Sequence, residues 1–182
     1  MTKEFSQMNL SHAPRITNAH DAAEALELVQ RWRFDLVISM TRIGEIGVEE
    51  FGEAIKEQLP ECEVVLLAHS TRELATISTG NSIDRIFVWS GNSRLLIAII
   101  KLVEDTRNVA HDTRIASIPV LLLVEDSRRF YSAYLPHLYQ ELVVQTGTIL
   151  DEGLNLHERL LRLRARTKVL HATTMEEAVA AV

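Results

Sequence analysis

Two adjacent carboxylates, Glu125-Asp126, close the apolar run Val120-Leu-Leu-Leu-Val124. At the carboxyl end of a strand such a pair suits a hard, oxygen-seeking divalent ion such as Mg2+, which keeps several of its waters. The same place in the sequence suits a second role, in which Asp126 and Ser127 cap a following helix. His69 beside Ser70 sets a base next to a nucleophile, but a catalytic triad needs a third group to orient the base, and no neighbour supplies it. The seven histidines contain no i, i+4 pair of the kind that holds zinc on a helix. A single cysteine, Cys62, excludes both an internal disulfide and a multi-cysteine metal centre. Arg159, Arg162, Arg164, Arg166 and Lys168 form a basic run that could grip phosphate or an acidic surface. Leu160, Leu161 and Leu163 interleave with it, which predicts a helix with a buried leucine side and a solvated basic side. Trp89 ends another apolar run, where an indole serves either as an anchor for a partner or as a lid on the core.

The chain that must position these groups has 182 residues, enough for one ordinary domain or one domain and part of another. Its 47% apolar and 24% charged residues describe a globular protein. The net charge of -6 disfavours nucleic acid as a partner. Ile115 to Val124, the longest uncharged apolar stretch, falls short of the roughly 18 residues that span a bilayer. Met1-Thr2-Lys3-Glu4 is no signal peptide, and the expectation is a soluble, cytoplasmic protein without a membrane partner.

Periodicity predicts alternating elements. Helical spacing over Asp21 to Trp32 gives way to a short apolar strand, Phe34 to Met40. A helix over Gly47 to Leu59, stopped by Pro60, precedes a strand over Val64 to Ala68. A short helix over Arg72 to Ile77, a strand over Arg85 to Trp89 and an amphipathic helix over Ser93 to Asn108 follow. Arg15 to Ala19 reads as an edge strand. After a linker, His111 to Ser117, the rhythm returns: strand Pro119 to Val124, a helix opening at Ser127, breaks near Gly147 and Gly153, strand Lys168 to Ala172, and a helix over Thr174 to Val182. Pro136 should kink or restart the helix that holds it. Strands alternating with helices imply βαβ crossovers and a parallel sheet covered on both faces. The segments starting at Arg15 and at Lys168 are similar strand-then-helix units, a weak internal repeat, and Thr174 and Glu177 have capping-box spacing.

The phrase Phe34-Asp-Leu-Val-Ile-Ser-Met40, with its glycine-containing loop and the helix from Val48, resembles the third strand and following loop of response-regulator receiver domains. Asp21-Ala-Ala-Glu-Ala-Leu then matches the receiver's second helix, Val64-Val-Leu-Leu-Ala its fourth strand and Arg85-Ile-Phe-Val-Trp its fifth, so that residues 12 to 105 are nearly covered. Val120-Leu-Leu-Leu-Val-Glu-Asp-Ser resembles the first strand of a second receiver, whose acidic pair, here Glu125 and Asp126, helps bind Mg2+. Receivers carry a phosphoryl group on an aspartate, with Mg2+ and a lysine neutralising the developing charge. By that resemblance Met40 stands at the phosphoacceptor position, Ala68 at the hydroxyl position and Trp89 at the lysine position, with Ser90 where proline is usual. Taken together, Arg85 to Asn92, Ile99 to Thr113 and Leu123 to Pro136 resemble the N-terminal regulatory region of large bacterial phosphoenolpyruvate synthase or pyruvate-phosphate-dikinase-like proteins, none of whose catalytic motifs is present in these residues.

The resemblance implies a flavodoxin-like, three-layer α/β sandwich with a central parallel sheet. It implies a degenerate receiver over residues 1–113, lacking its first strand, and the N-terminal half of a second over residues 114–182. The strand over residues 119–124 is expected to complete the first sheet in permuted order, between Arg15 to Ala19 or Lys168 to Ala172 on one side and Phe34 to Met40 on the other. The implied function is a non-catalytic pseudo-receiver that contacts a protein partner or other domains of its parent chain. It would act without a cofactor, although Glu125 and Asp126 could hold Mg2+. A homodimer, strand-swapped through the same pairing, is a further expectation. The competing reading is a two-component phosphorelay receiver whose second domain, here truncated, accepts a phosphoryl group on aspartate.

Overall fold

A computed structural model describes residues 14–75, 77, 80–150 and 166–181. The chain divides into two compact units, one over Arg15–Gly91 and one built on Asn92–Val182.

In the first unit, α1 (Ala22–Arg31) starts at Asp21, whose carboxylate accepts the Glu24 N–H. β1 (Leu36–Met40), α2 (Val48–Gln58), β2 (Glu63–Ala68), α3 (Thr71–Leu74) and β3 (Arg85–Val88) follow. The strands form a parallel sheet in the order β1-β2-β3, with Met40 opposite Leu67 and Ala68 opposite Val88. β2 is central, and its continuous apolar run Val64 to Ala68 is buried on both faces, as a paired parallel strand requires. Phe51 and Ile55 of α2 and Val29 of α1 pack in one core cluster with Val64. Gly52 permits a close approach, because a Cβ there would lie 2.6 Å from Ser82 Oγ.

In the second unit, α4 (Arg94–Ala116), β4 (Val120–Val124), α5 (Arg128–Leu150), β5 (Lys168–Ala172) and α6 (Met175–Ala180) are observed. β4 and β5 pair in parallel as a two-stranded sheet, with α5 in the connection between them. α4 packs against α5 and β5, and α6 against both strands. Among the described residues no helix is long and apolar enough to cross a membrane.

The α/β character, the parallel pairing and the order of β1, β2 and β3 agree with expectation. Four details are corrected. Arg15 to Ala19 forms no strand: β1 has a free edge beside it but pairs only with β2. The expected linker His111 to Ser117 is helical to Ala116: no glycine or proline interrupts it, and Ser117 ends the helix in the left-handed conformation, φ 49°. α5 runs unbroken past both Pro136 and Gly147, while the break expected near Gly153 lies outside the described residues. Finally, β4 does not complete the first sheet in permuted order. Its ladder goes to β5, one of the two neighbours expected for it, and the five strands remain two sheets. One paired edge together with helical cover suffices for each outer strand, so the absence of a central strand does not compel β4 to fill it.

Candidate functional site

In an open parallel sheet the carboxyl ends of the strands are where chemistry is usually housed. In the first unit these ends carry Met40, Ala68 and Trp89. Strand order puts Ala68 between the other two, and the Trp89 N–H donates to the Ala68 carbonyl at 2.7 Å. Ala68 is fully buried, while Met40 and Trp89 are half-buried. A thioether, a methyl group and an indole offer no phosphoacceptor oxygen, no hydroxyl and no ammonium.

The polar groups beside them are tied to one another. Glu73, on α3, accepts the Thr41 hydroxyl and, at 2.8 Å, the His69 N–H. These two bonds, the hydroxyl's foremost, hold the Glu73 carboxyl below its usual range, so that it stays ionised and acts as an acceptor rather than an acid. Ser70 caps α3, its hydroxyl accepting the Glu73 N–H at 3.3 Å. Ser70 is therefore engaged in holding a helix start, and among the described residues no third member of a triad joins His69 and Ser70.

Glu73 was not singled out in the sequence, although a signal was available. Ala19-His-Asp-Ala-Ala-Glu24, Ala68-His-Ser-Thr-Arg-Glu73 and Ala172-Thr-Thr-Met-Glu-Glu177 share one pattern. In each, the third residue caps a helix, and the closing glutamate accepts the backbone N–H of the residue before the cap: His20, His69 or Thr173. The weak repeat read between the first and last of these segments thus extends to the middle one, and its basis is a shared cap.

In the second unit the strand ends carry Glu125 and Asp126. Glu125 turns one carboxylate oxygen onto the Ser127 N–H at 2.9 Å, at the start of α5. Its carbonyl accepts from His171 Nε2 at 2.9 Å, and the His171 ring lies 4.4 Å from that of Tyr131, centroid to centroid. The Asp126 side chain is exposed. A carboxylate half committed to a helix start and a single exposed aspartate leave a thin donor set for Mg2+, and no three His, Cys, Asp or Glu side chains converge on a metal position among the described residues.

A cluster of charged groups lies elsewhere in this unit. Asp105 on α4 is fully buried and accepts Arg166 Nη1 at 2.9 Å and Nη2 at 2.7 Å, the Tyr139 hydroxyl at 3.1 Å and the Val169 N–H at 3.0 Å. Lys168 Nζ stands 3.6 Å from Asp105 and 2.8 Å from Asp112. The solvated basic face expected for Arg159 to Lys168 is corrected here for Arg166 and Lys168, both buried and paired, because their carboxylate partners on α4 take the place of water. Arg159, Arg162 and Arg164 lie outside the described residues. Burial lowers the pKa of Lys101, on the same helix, and the nearby Arg166 charge lowers it further.

The chain matches no protein-family profile and no curated protein.

Proposed function

We propose that this chain is a non-catalytic signalling module, a pseudo-receiver that works by contact with a protein partner or with other domains of a larger cytoplasmic protein. The supporting observation is the placing of Met40, Ala68 and Trp89 side by side at the carboxyl ends of three adjacent strands. These are the positions the receiver resemblance assigns to the phosphoacceptor, the hydroxyl and the lysine, and all three lack the required group. Phosphoryl transfer needs its nucleophile, metal and cation together. Loss of three parts leaves a fold that can change partners but cannot be charged with phosphate.

Incubation with acetyl phosphate and Mg2+, followed by intact mass, tests this reading. No stoichiometric phosphoryl adduct is expected, and Met40→Asp alone should not restore one, since Trp89 still occupies the lysine position. Rapid Mg2+-dependent labelling of Met40→Asp would refute the reading. A stoichiometric adduct on an aspartate of the wild-type chain would refute it as well.

A further inference from the structure

We draw no further inference here: the strongest candidate, the unpaired edge of β4 with its exposed side chains Val120 and Val124, is an apolar surface patch, and nothing in the structure shows what covers it.

Discussion

The two units use the same local grammar and different interiors. The first is organised around β2, whose residues Val64 to Ala68 are buried among Phe51, Ile55, Val48 and Leu74. The second is organised around a carboxylate: Asp105 has no exposed surface and gathers α4, α5 and β5 through Arg166, Tyr139 and the Val169 N–H. Apolar side chains such as Leu95, Ile99, Leu102, Leu135 and Val169 are buried around it, so the multiply bonded charge sits inside an apolar interior at a cost in desolvation. The free edges differ as well. That of β1 borders a walled groove, whereas Val120 and Val124 of β4 are 42% and 52% exposed.

The sharpest way to break this contrast is at Asp105. Asp105→Ala leaves the Arg166 guanidinium buried without its partner and should cost about 3–5 kcal/mol. Hydrogen exchange should rise at β5 and α4 far more than at β2. A double variant, Asp105→Leu with Arg166→Met, should recover much of the loss, because two uncharged residues leave no orphan charge. If the double variant were no more stable than Asp105→Ala, the interior of the second unit would not be electrostatic in the sense argued.

Leu66→Ala is the matching experiment in the first unit. It should cost about 2–5 kcal/mol through lost burial and the cavity left behind. The exchange pattern should be the reverse, with β1 and β3 losing protection before β5. Stability of this variant relative to wild type should be insensitive to salt, because no charge is altered.

What could be read from the sequence divides along the same line. β1, β2 and β3 were legible because each is a short apolar run between helices of clear 3.6-residue spacing, and a buried parallel strand has no other way to look. The C-terminal end of α4 and the fate of Arg166 and Lys168 were not legible. A basic residue among leucines reads as solvated unless its partner is known, and that partner, Asp105, lies some sixty residues earlier in the chain. One clue was present: Leu95, Ala98, Leu102 and Asp105 fall on one helical stripe, so a carboxylate sits among residues that are themselves buried. The site divides similarly. Met40, Ala68 and Trp89 were found through a resemblance tied to strand ends, while Glu73 was passed over because its role depends on Thr41, more than thirty residues away.

The caps should cost less than either core. Thr174→Ala removes the acceptor for the Glu177 N–H and should destabilise α6 by about 1 kcal/mol, with exchange rising only in that helix. A loss equal to that of Leu66→Ala would place α6 in the core of its unit.

The smallest and most diagnostic effect is acid sensitivity, because here the two units should agree. The His20 N–H holds Glu24 below its usual range, the Thr41 hydroxyl and then the His69 N–H hold Glu73, and the Thr173 N–H holds Glu177. A carboxylate whose pKa is lower folded than unfolded binds fewer protons in the native state, so stability falls as pH decreases. The contribution is complete above the unfolded value of 4.5 and is lost as pH falls through the folded values. All three groups lie at exposed or half-exposed helix starts, where solvent screening keeps each contribution small. Glu73→Gln in one unit and Glu177→Gln in the other should therefore each lower the neutral plateau slightly and converge on wild type at the acid end, which flattens the acid limb. Denaturant titrations from about pH 7 down to about pH 3 measure this directly. Curves that stayed parallel to wild type throughout would show that the shared cap is a feature of geometry without electrostatic weight.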